Sequence, residues 1–340
     1  MPSPLLKVDH LKVYFPILGG VFRHKIGEVK AVDDVSFEIH KGQTVGLVGE
    51  SGSGKTTIGR AIIRLTQPTS GSITYEDTDI TKLSASEFRP WRKKIQIIFQ
   101  DPYNSLNPRL SIFEIIGEAL EIHFPKMTRA DRRERVAVLL EKVGLKRDHL
   151  DRYPHEFSGG QRQRIGIARA LAVDPQFIVC DEPVSALDAS NRNRILALLR
   201  ELRDALGIAI VIISHDLASI AGVVDRVAVL YRGRIVEEGD AAEVFRSPAH
   251  PYSALLLASA PRVSRSRWRF DLDPRQLQRE SSDESDGGPD GGCVFAPRCR
   301  FAIERCRAEQ PEPVAYGVGR SVGCHRASEW RAVLEGEAAR

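Results

Sequence analysis

An α/β fold built on a parallel sheet is the class the sequence predicts, and two observations predict it. The apolar run Thr44-Val45-Gly46-Leu47-Val48 leads directly into Gly49-Glu50-Ser51-Gly52-Ser53-Gly54-Lys55-Thr56, and a helical stretch over residues 54–65 follows. Phe177–Cys180 and Ile208–Ile213 are apolar runs of strand length, separated by a helical stretch over residues 189–206. Strands alternating with helices build parallel sheets, because the return to a parallel neighbour needs a crossover.

The remaining elements fall around this core. Residues 5–48 alternate apolar and polar positions (Leu6, Val8, Leu11, Val13, then Val35, Phe37, Ile39), as strands of a small antiparallel sheet do. Pro16–Lys30 interrupts them with glycines and is expected to be an exposed loop. Ile95–Phe99 reads as a strand ending at Gln100, and Asp101–Pro108 as a loop by composition. Residues 111–150 read as helical. Thr128 caps one helix with Asp131 in the capping-box position; Val136, Leu139, Leu140 and Val143 make its apolar face, and Gly144 ends it. This block is expected to be a helical subdomain inserted in the core, about 105–160. No internal repeat is visible. After Pro261 the composition shifts, and Ser281–Gly288 is polar and acidic, expected to be a mobile linker to a cysteine-rich tail.

Composition sets limits. The chain has 340 residues, 42% of them apolar, enough for a real core. A net charge of +4 is small for this length and makes no case for nucleic acid as a partner. Of the five cysteines, Cys180 lies in an apolar run, and the odd count argues against a secreted disulfide framework. The N-terminus has no signal-peptide core, and no apolar run approaches the ~20 residues that span a bilayer. A soluble, cytoplasmic chain is expected, with any membrane role coming through a partner.

Gly49–Thr56 fits the Gly-x-x-x-x-Gly-Lys-[Ser/Thr] phosphate loop in its proper setting, between a strand and a helix. Wrapping phosphates requires several backbone N–H groups aimed at one centre, which glycines allow. A side chain at Gly52 or Gly54 is expected to crowd the anion, and the helix starting near Gly54 adds the positive end of its dipole. Lys55 can then reach the β- and γ-phosphates, and the Thr56 hydroxyl can ligate Mg²⁺.

Phe157-Ser158-Gly159-Gly160-Gln161 is followed by Arg162-Gln163-Arg164. Here the chain resembles the ATP-binding subunits of ABC transporters, whose signature usually reads Leu-Ser-Gly-Gly-Gln; Phe157 replaces the leucine. Phe177-Ile178-Val179-Cys180-Asp181-Glu182 resembles the family's Walker B strand, Ser185-Ala186-Leu187-Asp188 its D-loop, Ile213-Ser214-His215 its switch histidine, and Gln100 its Q-loop glutamine. The resemblance implies these roles. Gly49, Ser51, Gly52, Ser53, Gly54, Lys55, Thr56 and Thr57 hold ATP, and Phe15 stacks on adenine with Tyr14 as a competitor. Thr56, Gln100 and Asp181 hold Mg²⁺. Glu182 polarises the attacking water with help from His215. Ser158, Gly159, Gly160, Gln161 and Asp188 contact the ATP of a second subunit, in a head-to-tail dimer.

Tyr153–Gln161, the Asp101–Pro108 loop, His250-Pro251-Tyr252 before an apolar helix, and Gly292-Cys293-Val294-Phe295-Ala296-Pro297-Arg298-Cys299 narrow the resemblance to oligopeptide/dipeptide importers. The insertion after Phe15-Pro16-Ile17 is most similar to the second ATPase of such systems. The implied organisation is an ABC-type core over 1–260 with its antiparallel β and helical subdomains, a linker over 261–292, and a tail over 293–330. The implied location is the inner face of the cell membrane. The implied partners are two permease subunits, a homologous ATPase or a second copy, and indirectly an extracytoplasmic solute-binding protein. The solute is left open among peptides, nickel chelates and glutathione. A non-transport ABC ATPase is the rival, disfavoured because such chains usually carry two modules or long coiled coils; a regulatory subunit with little turnover is disfavoured by Glu182 and His215.

Cys293, Cys299, Cys306 and Cys324 do not follow zinc-finger spacing, which begins with a close pair. Four thiolates suit zinc or an iron–sulfur cluster, and four unligated thiols are the alternative. The family resemblance favours a [4Fe–4S] cluster. His325, next to Cys324, is expected at the surface, with a substitute ligand as the alternative, and Cys180 is expected in the core.

Overall fold

The computed structural model describes residues 3–20, 24–259, 272–279 and 291–338. The expected linker over 281–288 lies outside the described residues.

Strands β1 (Leu6–Gly19) and β2 (His24–Ile39) form a long antiparallel hairpin, and β3 (Thr44–Val48) leaves it for the second sheet. β4 (Ser70–Tyr75) pairs with β1, and β5 (Thr78–Asp79) with β4, completing the four-stranded order β2-β1-β4-β5. The chain continues through β6 (Ile95–Ile98), β7 (Phe177–Asp181), β8 (Ala209–Ser214), β9 (Arg226–Tyr231), β10 (Arg234–Asp240), β11 (Val314–Ala315) and β12 (Ser321–Val322). The large sheet runs β11-β12-β10-β9-β3-β8-β7-β6. Its strands from β9 to β6 are parallel neighbours, and the β10 side is antiparallel.

Both faces of the parallel strands are covered, which is why their sequences read as unbroken apolar runs. Val179, Val211 and Ile213 face one core with Ile58 and Ile62 of the helix Lys55–Ile62 and the antiparallel sheet. Ile178, Cys180, Ile210 and Ile212 face the other, with the inserted helices. Those helices are Ile112–His123 and Arg129–Lys142. Thr128 accepts a hydrogen bond from the Asp131 N–H at 3.1 Å, the apolar face expected for the second helix is buried, and Gly144 follows with φ +73°.

Two expectations are corrected. The stretch 16–30 is not a loop: its described residues continue the hairpin, with Pro16 opposite Glu28, Ile17 opposite Gly27 and Leu18 opposite Lys25. Ile17, Leu18, Ile26 and Val29 are all exposed there, so no buried face imposes the alternation that reveals a strand. β3 also belongs to the parallel sheet, not to the antiparallel one.

The tail is built onto the sheet. β12 pairs with β10 through Glu237↔Val322, and the fully buried Trp330 donates its indole N–H to the Ala249 carbonyl at 2.7 Å. Glu237 is buried and accepts from the backbone N–H groups of Ala249 and His250, both at 2.9 Å, and from the Arg320 guanidinium. Removing one member of a buried pair leaves a charge without compensation, at about 3–5 kcal/mol. Glu237→Gln is therefore expected to lower the free energy of unfolding by about that amount in denaturant titration; an unchanged midpoint would show that the tail is held elsewhere.

Candidate functional site

The site gathers at the carboxyl ends of the parallel strands, where chains in this topology leave open backbone groups and converging loops. β3 runs into Gly49. A Cβ on Gly49 would lie 2.1 Å from the Leu230 carbonyl oxygen, and one on Gly54 2.2 Å from that of Ala31; Gly54 has φ +101°. Only glycine allows the loop this close to the end of β9 and the middle of β2. At Gly52 the chain itself leaves room. A Cβ there meets nothing within 4 Å, and the requirement is φ +79°.

Lys55 is buried at the centre. Its ammonium donates to the carbonyls of Gly49 at 2.8 Å and Glu50 at 2.7 Å, and to the Ser53 hydroxyl at 3.2 Å. Burial pushes its pKa down, while Glu182, Asp181 and Glu50 oppose that shift. Next to it, the Thr56 hydroxyl donates to the Asp181 carboxylate at 2.9 Å. Asp181 is also buried, and desolvation raises its pKa against the Thr56 hydrogen bond. A hydroxyl and a carboxylate already in contact, at the mouth of an anion-binding loop, are hard oxygen donors that fit Mg²⁺.

Glu182 sits one residue beyond β7 with φ +46°, a conformation few non-glycine residues adopt. Its N–H is tied to the Ile213 carbonyl at 3.0 Å. One carboxylate oxygen, Oε2, meets both the Gln100 amide at 3.1 Å and His215 Nδ1 at 3.2 Å. Residues carried by β6, β7 and β8 thus converge on one oxygen beside the phosphate loop.

Ser158 is exposed and caps the helix Gly159–Leu171 in a capping box with Gln161. A Cβ on Gly160 would lie 3.2 Å from Asn191, and one on Gly159 3.4 Å from the Tyr103 hydroxyl. Asn191 in turn donates to Asp188, which caps the helix Ala189–Leu206 and is kept well below the usual carboxylate range by the Ser190 and Asn191 hydrogen bonds. The signature, the D-loop and the loop after Gln100 therefore form one surface. Phe157 packs edge-on to His149 in the core, so the larger ring is accommodated. Tyr14 and Phe15 separate clearly. The Tyr14 hydroxyl is bound to Asp33, which pairs with Arg234, whereas Phe15 is 43% exposed. Phe15 lies opposite Val29, two residues before the Ala31 carbonyl that abuts Gly54.

The tail reaches the phosphate loop. Arg298 forms a two-point ion pair with Glu50 of the phosphate loop, at 2.8 and 3.1 Å, and Tyr252 accepts from the Glu50 N–H at 2.9 Å. Sequence reasoning missed Arg298; no local pattern links residues 248 positions apart. Among the described residues, no group of three or more His, Cys, Asp or Glu side chains is arranged to hold a metal ion. The expected metal centre is therefore not supported by ligand geometry. The four tail cysteines do line one small cavity with Phe295, Phe301 and His325, and none is in a disulfide. Burial raises the thiol pKa of Cys293, and pushes those of Cys299 and Cys324 up to about 12. Cys180 is fully buried in β7. Among the described residues, no helix is long and apolar enough to cross a membrane.

Comparison with known proteins agrees with this geometry. Residues 32–185 match the family described as ABC transporter, and residues 236–306 match Oligopeptide/dipeptide transporter, C-terminal region. The chain is 44% identical over 322 residues to the dipeptide transport ATP-binding protein DppF of Haemophilus influenzae, covering 95% of this chain and 96% of that one. It is 45% identical over 322 residues to the oligopeptide transport ATP-binding protein AppF of Bacillus subtilis, covering 94% and 97%. Among solved structures it resembles cbiO1 of Clostridium perfringens, part of an ABC transporter complex, with TM-score 0.62 and 28% identity over 72% of this chain and 91% of that one. It matches equally the dimeric post-hydrolysis ATP-binding cassette MJ0796 bound to ADP and Pi, with TM-score 0.62 and 28% identity over 69% and 98%. The chain belongs to the ATP-binding subunits of the ABC transporter family, in the branch that carries the oligopeptide/dipeptide C-terminal region.

Proposed function

We propose that this chain is the energy-coupling ATPase of a peptide importer, peripheral to the inner face of the membrane. It works with two permease subunits and a second ATPase, either a homologue or another copy. The observation that carries the reading is the convergence of Gln100, Glu182 and His215 on one oxygen beside Lys55 and Thr56. The names of its relatives supply the peptide solute.

In this reading the loop amides of Gly49–Thr57 and the Lys55 ammonium hold the phosphates, and Phe15 offers its exposed face to the adenine. Thr56 and Asp181, with Gln100, would hold Mg²⁺, which would neutralise charge on the phosphate oxygens. Glu182 orients the attacking water and accepts its proton, and His215 keeps that carboxylate in place. Ser158, Gly159, Gly160, Gln161 and Asp188 share one surface, which supports their acting on the nucleotide of a facing subunit. Two such grips close a dimer around ATP, closure drives the permeases, and hydrolysis releases it. Copurification of the tagged chain with two permeases tests the assignment; a chain that brings down neither contradicts it.

We also assign the tail cavity to one metal centre, a [4Fe–4S] cluster ahead of zinc. The type and number of its thiols support it, and a tail with little core of its own would gain folding energy from a metal, on whose binding the four side chains would have to rearrange from the positions they hold here.

Glu182→Gln is expected to lower steady-state ATP hydrolysis by about 100-fold or more, because the amide cannot take the proton. ATP binding persists, so an ATP-dependent dimer should accumulate in size-exclusion chromatography. Near-normal turnover would remove Glu182 from this role. For the tail, anaerobic purification followed by iron, sulfide and zinc analysis is expected to find iron and sulfide in a brown protein. Stoichiometric zinc in a colourless protein would change the metal, and the absence of all three would refute the centre.

A further inference from the structure

We infer that Arg298 of the tail is a positioning residue for the phosphate loop, so that nucleotide affinity depends on the tail being docked. The inference rests on the reading of Gly49–Thr56 as the ATP grip and goes beyond it, because nothing in that reading involves the tail.

Glu50 is the second residue of the loop, and each of its polar groups is held. Its carbonyl accepts from Lys55 at 2.7 Å, its N–H donates to Tyr252 at 2.9 Å, and its carboxylate accepts from both terminal nitrogens of Arg298. Two of these three restraints come from beyond the sheet: Tyr252 from the helix Pro251–Ala258, and Arg298 from the tail. The carbonyl and the carboxylate belong to one residue, so what fixes the side chain also fixes the carbonyl that positions Lys55.

Arg298 is well placed to be rigid. Its side chain is 16% exposed, and the ring centroids of Tyr231 and Phe295 lie 5.8 and 5.9 Å from its guanidinium. Its own carbonyl accepts from the Arg279 N–H at 3.0 Å, and its N–H donates to the Phe295 carbonyl at 3.1 Å. Tyr231, Tyr252 and Phe295 pack mutually, with centroids 4.6–5.3 Å apart. Tyr231 follows Leu230, whose carbonyl limits Gly49. The aromatic wedge therefore touches the loop on one side, and through Phe295 it lines the four-cysteine cavity on the other. A bidentate guanidinium–carboxylate pair supplies direction as well as attraction, which a surface ion pair between flexible chains does not.

The test is a double-mutant cycle on the full-length chain, read as the dissociation constant for Mg-ADP by calorimetry. Arg298→Ala and Glu50→Gln are each expected to weaken binding by about fivefold to thirtyfold. The double variant should be no weaker than either single one. Arg298→Lys is expected to recover part of the affinity, since it restores charge but not the two-point geometry. Glu50→Gln leaves the tail sequence intact, so a loss there cannot come from a misfolded tail. The inference is overturned if both single variants bind within twofold of the wild type, even where Arg298→Ala melts earlier, or if the two losses add. A wild-type chain that does not bind Mg-ADP would overturn the phosphate-loop reading, and this inference with it.

Discussion

The hydrogen bond from the Thr56 hydroxyl to the Asp181 carboxylate joins residues 125 positions apart, and the rest of the site depends on the arrangement that permits it. β3 and β7 flank β8 in parallel, so the residues just past their ends meet at one edge. That edge receives Lys55 and Thr56 from the first strand, Asp181 and Glu182 from the second, His215 from the third and Gln100 from β6. Paired apolar faces on both sides of the sheet fix the register of these strands. A slip of one residue would turn Asp181 away from the loop and into a core. The chemistry is thus a consequence of sheet register, and register a consequence of apolar packing.

Much of this was legible in the sequence, for a physical reason. Backbone torsion, capping and strand burial are set within a few residues. The glycines of the loop, the helix 189–206, the Thr128 cap and the apolar faces of β7 and β8 all appear where local pattern places them. The hairpin strands over 16–19 and 24–30 were hidden because their exposed residues on both faces carry no alternation, and Pro16, Gly19, Gly20 and Gly27 look like loop residues. The two-residue strands β11 and β12 are too short to carry any period. That Tyr14 is held within the chain and Phe15 is not was hidden from the sequence, because the Asp33–Arg234 pair that binds the tyrosine lies far along it.

The tail shows the same limit most clearly. Its four cysteines announce themselves by type, yet their relation to the phosphate loop runs through Arg298 and Glu50, a pair that only the folded chain reveals. The buried Glu237–Arg320 pair and Trp330 anchor the tail to β10 and to the segment before the helix Pro251–Ala258, and that helix sends Tyr252 back to the loop. The His250 imidazole, held neutral by burial at a pKa of about 3, accepts from the Tyr252 N–H and starts this helix. Sheet, helix and tail therefore meet at one loop residue.

The central claim is that the phosphate loop, organised by Lys55, is the nucleotide grip. Thermal unfolding of Lys55→Ala titrated with ATP and Mg²⁺ tests it most directly. Wild type should gain stability as ligand concentration rises, because ligand binds only the folded state. The variant should remain folded without ligand and lose most of that gain. An undiminished ATP-dependent rise in the variant would contradict the account and place the grip elsewhere.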